Sequence, residues 1–270
     1  MSAAQASDVA SLLLHSGDPG GGRLTALRRA IAAMEPAAGA AGDGGAVPVG
    51  PAPIDGVLGG GLALGCLHEI AAPREAAVAA ATAFALTLAA RGPERAVVWV
   101  AEDFGLAESG VPYGPGLDDL GLAPERLVMV AAAKARDVLW AMEEALGCGG
   151  VGAVIGEIRG SRGIDLTASR RLSLATGRRH NLALLLRTEP GAGASAAVTR
   201  WVVGHAPSVP LARATGPPRL ALTLARNRRG QLGSWIVEWN CVERCFDLAP
   251  AHREPVAEAA VDRSRRAARA

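Results

Sequence analysis

The residues best placed to do chemistry lie in Cys66–Ala79, CLHEIAAPREAAVA, behind the glycine turn Gly59–Gly61. The apolar run Cys66–Ala71 reads as a strand, a short loop follows, and Arg74–Arg91 reads as an alanine-rich helix. A strand, loop and helix in this order cradle phosphate when three things are present. Loop glycines expose N–H groups at the helix N-terminus, a lysine reaches the β- and γ-phosphates, and a Ser or Thr hydroxyl holds Mg²⁺. Here the layout is kept and the chemistry is gone. Ala72 and Ala77 stand where glycines would let the backbone wrap phosphate, Val78 stands in the lysine position and Ala79 in the hydroxyl position. Lys134 is the only lysine of the chain and lies far downstream, so no shift of alignment restores the set. Pro73 and Arg74 complete the loop, and Glu75 beside Arg74 opposes an anion. The expectation is no nucleotide, no other cofactor and no catalytic residue.

Two acids sit at strand ends where an intact site would use them. Ala96–Ala101 ends at Glu102-Asp103, and Val151–Ile155 leads through Gly156 to Glu157. Without phosphate ligands both read as vestigial, Glu102 capping the following turn and Glu157 pairing Arg159 or Arg162. The arginines form two candidate contact sets. Arg226, Asn227, Arg228, Arg229 and Gly230 begin the turn of a hairpin between Leu220–Ala225 and Ser234–Trp239. Arg171 and Arg178, seven apart in the helix Asp165–His180, share one face. Guanidinium groups suit a partner's carboxylates or DNA phosphate, and a solvated helix face is the alternative for the second set. The run Glu189–Ala197 has no basic residue and offers DNA little directly.

Strands and helices alternate along the middle of the chain. Arg126–Ala131 and Asn181–Leu186 read as strands, and Lys134–Gly147 as an amphipathic helix with Val138, Leu139, Met142 and Leu146 inward. That pattern implies a parallel sheet covered on both faces. Phe104–Pro124 reads as a loop-rich excursion with a short helical piece around Leu117–Leu120. From Val198 the period becomes two, and Trp235, Val237 and Trp239 share one face, read as core. Upstream, Arg23–Met34 carries the stripe Leu24, Leu27, Ile31 and Met34, with Arg23, Arg28 and Arg29 elsewhere; it covers its own core or a neighbour. The chain thus divides into a helical segment (1–34), a flexible linker (35–53), an α/β core (54–248) and a basic, disordered tail (249–270).

A net charge of +2 on 270 residues excludes a polycation that coats nucleic acid. Cys66, Cys148, Cys241 and Cys245 lack C-x-x-C spacing, so no metal is expected and buried thiols in a reducing cytosol are. With no signal peptide and no membrane-spanning run, the expected location is cytoplasmic.

GGGLALGCLHEI, the loop and helix after it, and VVWVAED resemble the core of RecA. The emptied loop and the ending RLALTLARNRRGQLGSWIVEWN narrow the resemblance to the ImuA family, over roughly residues 50–248. It implies a RecA-like, P-loop NTPase-type α/β core with a degenerate phosphate loop and a C-terminal β-hairpin. It also implies a non-catalytic adaptor of SOS-induced, error-prone translesion synthesis. The partners implied are a polymerase-like ImuB-type protein, RecA and an error-prone C-family DNA polymerase within one complex, with DNA contacted indirectly. Arg226–Gly230 resembles the Lys-Asn-Arg-x-Gly hairpin that reaches into a neighbour's nucleotide site in RecA-type assemblies, with arginine in the leading position. The rival readings are an atypical ATPase using Arg74 and Glu102, a DNA-binding module built on the arginines of 159–187, and a cell-division inhibitor resembling SulA.

Overall fold

The computed structural model describes residues 45–159, 164–188, 193–210 and 215–250. The helical segment read over 1–34, the first part of the linker and nearly all of the basic tail lie outside the described residues.

The ordered unit begins upstream of Ile54. Within the stretch read as linker, β1 (Ala46–Val47) pairs antiparallel with β2 (Leu62–Ala63), and α1 (Ala52–Leu58) lies between them. Asp55 closes this entry loop by accepting from the amides of Val49 at 2.7 Å and Gly50 at 3.1 Å. The glycine turn does what its composition requires: Gly59, which caps α1, and Gly61 both have φ in the left-handed range. A side chain at Gly61 would also meet the backbone of Val47.

β3 (Cys66–Ala71) is the central strand of a nine-stranded sheet, followed by a 3₁₀ turn Glu75–Ala77 and α2 (Val78–Ala90). Next come β4 (Ala96–Glu102), α3 (Asp103–Ser109), α4 (Gly114–Asp119), β5 (Leu127–Ala132), α5 (Ala135–Gly147) and β6 (Val151–Ile158). Then α6 (Leu166–Gly177), β7 (Leu182–Arg187), β8 (Thr199–Ala206), β9 (Arg219–Asn227), β10 (Gly233–Asn240) and β11 (Cys245–Leu248) complete the described chain. The sheet order is β11-β10-β9-β8-β3-β7-β6-β4-β5. The strands from β5 to β8 run parallel, and β9, β10 and β11 extend the sheet antiparallel.

Two cores flank the sheet. On one face α2 packs with Ile70, Trp99, Leu184, Trp201, Leu222, Val237 and Phe246. On the other, α5 and α6 pack with Leu67, Val100, Val154 and Leu185. Trp239 and Val237 are buried and Trp235 lies against Trp201 with ring centroids 6.2 Å apart, so the three-residue stripe of β10 serves the core.

The structure corrects the sequence reading in four places. The second face is covered only over the parallel half; on the antiparallel extension Thr223, Ala225, Ser234 and Ile236 are exposed. The excursion contains a helix that was not read, α3, besides α4, which overlaps the helical piece read around Leu117–Leu120. β6 runs straight through Gly156 and Glu157, because Gly156 is where the Met142 side chain of α5 seats against the sheet, leaving no room for a Cβ. β11 follows a turn too short to show a period, and Phe246 brings it into the core 5.0 Å from Trp239. No helix among the described residues is long and apolar enough to cross a membrane.

Candidate functional site

The loop after β3 is anchored at both ends. The amide of Ala72 donates to the Arg187 carbonyl at 3.0 Å and that of Ala77 to Arg74 at 2.9 Å. Ala72 and Ala77 are buried, so their methyl groups fill space beneath the loop, while Pro73, Arg74, Glu75 and Ala76 are exposed. A phosphate nest turns successive amides inward by combining right- and left-handed backbone conformations. No residue of 72–79 has a positive φ. The loop carries neither the lysine and hydroxyl side chains nor the left-handed backbone positions of such a nest. Val78 and Ala79 instead line an apolar groove of about 490 Å³ between α2 and the 105–120 region, with Glu157 among its walls.

The two strand-end acids lie side by side at the mouth of the sheet. Glu157 is opposite Ala101, the residue before Glu102, in the β4–β6 pairing. Glu102 does not cap the turn that follows it; its carboxylate accepts from the amide of Arg159 at 2.8 Å, joining β4 to the end of β6. That bond spans 57 residues and has no local sequence signature. Glu157 is buried, with Arg159 Nε 3.8 Å away, and burial pushes its carboxyl above the ordinary range against the pull of Arg159. Arg162, the alternative partner, lies outside the described residues. Arg159 itself is held by Glu108 at 2.5 Å, by the Ser109 hydroxyl and by the Gly105 carbonyl.

The arginines read as one cluster over 159–187 are separated by the fold. Arg187 is buried at the end of β7 and Arg159 faces α3. Arg171 and Arg178 do line one surface of α6, but Glu143 and Glu144 of α5 stand against them, and Arg171 bonds Glu143 at 2.6 Å.

A different arginine cluster forms around Glu69, a residue that sequence analysis left without a role. Glu69 is 1 % exposed in β3 and accepts from Arg200 Nε at 2.7 Å and from the Ser195 hydroxyl. Arg226 and Arg228 donate to the Ser195 carbonyl at 2.9 and 3.0 Å, and Arg200 donates to the Gly193 carbonyl at 3.1 Å. Burial and the neighbouring guanidinium groups of Arg228 and Arg200 lower the Arg226 pKa from its ordinary value. The basic groups missing from 189–197 are thus supplied by other elements. A lone acid inside the apolar strand CLHEIA was the available signal, since a buried carboxylate demands a partner.

The rest of the hairpin turn folds onto its own chain. Asn227 Nδ2 donates to the carbonyls of Val57 and Gln231, both at 3.2 Å, and its side-chain oxygen accepts from the Arg229 amide at 3.0 Å. Arg229 reaches the Cys66 thiol at 3.4 Å, while Arg228 and Gly230 are exposed. Of the thiols expected to be buried, Cys66 is; Cys148 and Cys241 are exposed and Cys245 is half-buried. Among the described residues no group of three or more His, Cys, Asp or Glu is placed to hold a metal.

No family model matches the chain. Two curated relatives, each named Protein ImuA, come from Caulobacter vibrioides strains NA1000 / CB15N and ATCC 19089 / CIP 103742 / CB 15. Each is 37% identical over 203 residues, which covers 68% of this chain and 80% of the relative. Among solved structures, the crystal structure of the RadB recombinase superposes with a TM-score of 0.52 at 15% identity, covering 76% of this chain and 100% of that one. That likeness shows the fold: an α/β RecA-like core with a large, mostly parallel central sheet. The identity to the relatives over most of their length shows the family, and the chain belongs to the ImuA family.

Proposed function

We propose that this protein is a non-catalytic RecA-like adaptor in SOS-induced, error-prone translesion DNA synthesis. The observation that carries this reading is the loop at Ala72–Ala79, with buried methyl groups at the two glycine positions and Val78 and Ala79 in place of the phosphate and Mg²⁺ ligands. Such a subunit keeps the packing of a nucleotide switch and works through its surfaces. Family membership supports a polymerase-like ImuB-type protein, RecA and an error-prone C-family polymerase as its partners. The exposed part of the hairpin turn, Arg228 and Gly230, is the contact we assign to them.

The test is ATP binding and hydrolysis by the purified protein, with and without single-stranded DNA and RecA. The expected result is neither binding nor turnover, with retention of an ImuB-type partner in pull-downs that Arg228→Ala weakens. ATP turnover abolished by Glu102→Gln would replace the adaptor reading with that of an atypical ATPase.

A further inference from the structure

The groove lined by Val78 and Ala79, the residues at the lysine and hydroxyl positions, has the wrong character for an anion and the right one for a cationic amphipathic segment. Its α2 wall is formed by Val78, Ala79, Ala83 and Leu86. Val111 and Tyr113, 70% and 76% exposed, stand at the other lip. α2 carries no charged residue on any side, and a helix apolar all round is one covered on more than its sheet-facing side. The rim is acidic. Residues 74–90 and 103–120 contain Glu75, Asp103, Glu108, Asp118 and Asp119 against a single basic residue, Arg74. Glu108 is shared with Arg159, and the other four acids are exposed.

The chain contains a segment of the complementary kind. Leu24, Leu27, Ile31 and Met34 make an apolar stripe, and Arg23, Arg28 and Arg29 flank it. These residues lie outside the described ones, and ten residues, 35–44, join them to Gly45. The carbonyl of Gly45 accepts from the Leu64 amide, which places it at the start of β3. The groove lies beyond the other end of that strand, about 20 Å away for six residues of strand. Ten extended residues span up to about 35 Å, so the tether suffices. Tethering also raises the effective concentration to the order of millimolar, so a modest apolar contact is enough.

We propose that Arg23–Met34 of the same chain docks in this groove, its stripe against Ala79, Ala83 and Leu86 and its arginines toward Glu75 and the exposed acids of the 103–120 segment. The nucleotide position becomes a receptor for the protein's own N-terminal segment. The proposal rests on the reading of the loop as free of nucleotide.

The test is amide exchange of the full chain at residues 76–79 and 106–113, compared with Leu27→Asp/Ile31→Asp and, separately, with Ala79→Arg at the exposed groove wall. Both variants are expected to exchange about tenfold faster at these amides. A synthetic peptide of residues 20–36 is expected to restore protection to the first variant and not to the second. Unchanged exchange in Leu27→Asp/Ile31→Asp overturns the proposal, as does protection in the unaltered chain that grows with protein concentration, which makes a second copy the occupant. Repeating the comparison with ATP separates the two readings. Protection of 75–83 that appears only with ATP overturns both, and absence of protection with and without ATP overturns the docking alone.

Discussion

Arg200 Nε lies 2.7 Å from Glu69 Oε2 on adjacent parallel strands, and the carboxylate is 1 % exposed. Removing one member of such a pair leaves a buried charge without its counter-ion, at a cost of about 3–5 kcal/mol. Arg200→Met is therefore expected to lower the urea midpoint sharply, and adding Glu69→Gln in the same chain is expected to recover much of the loss. If the double variant is no more stable than Arg200→Met alone, the pair is not the source of the effect.

Arg226 and Arg228 both donate to the carbonyl of Ser195, so each can stand in for the other. Arg226→Ala and Arg228→Ala are each expected to cost about 1 kcal/mol, and the double variant more than their sum, because only then is the carbonyl left unpaired. Equilibrium denaturation gives the energies. Amide exchange at 195–198, accelerated only in the double variant, shows where they act.

His68 is fully buried and its ring is held by two bonds. Thr199 Oγ1 is 2.8 Å from Nδ1, and Nε2 donates to the Ala63 carbonyl at 3.0 Å. Trp201 Nε1 donates to the Thr199 hydroxyl oxygen at 3.1 Å; burial keeps the imidazole neutral, and with its proton on Nε2 the ring accepts from the Thr199 hydroxyl at Nδ1. Burial lowers its pKa from 6.5 to about 4, with the charge of Arg229 adding to it and the Ala63 carbonyl opposing. The unfolded chain takes up this proton below pH 6.5 and the folded chain only near 4. Stability is therefore complete above the unfolded value and falls as the pH drops towards 4, by about 3 kcal/mol from this group. The difference between denaturation curves of the parent and His68→Gln is expected to shrink across that window. A constant difference would mean that His68 titrates normally.

Gly156 faces Met142, whose side chain occupies the position of any added Cβ. Gly156→Ala is expected to cost about 1–3 kcal/mol through displacement of α5. Gly156→Ala/Met142→Ala, which opens the space again, is expected to recover part of that loss. Urea titration of the three chains decides it.

The strand–loop–helix of β3 and α2, the parallel core and the inward stripe of β10 were legible because each rests on local spacing. What was not legible is non-local. Val47 pairs with Leu62, fifteen residues away, only because Gly61 lets the backbones approach; the bond from Arg159 to Glu102 and the Glu69 cluster unite residues from different strands. The arginines of 159–187 looked like one patch because sequence proximity hides that β6, α6 and β7 turn them to different surroundings. The emptied loop was readable residue by residue, but the groove beside it was not, since half its wall comes from the excursion, of which only the helical piece around Leu117–Leu120 was read.

The position of β3 also governs how the molecule is made. Its neighbours in the sheet are β7 and β8, so Cys66 waits for Leu182 and His68 for Thr199. During synthesis the central strand and the uncharged α2 leave the ribosome without either partner, and at about 5–20 residues per second that interval lasts several seconds. Throughout it a fully buried strand lacks both neighbours that cover its edges. A chain that stops short of Thr199 leaves β3 without its β8 partner, so C-terminal truncation reaches the heart of the fold and not merely its rim.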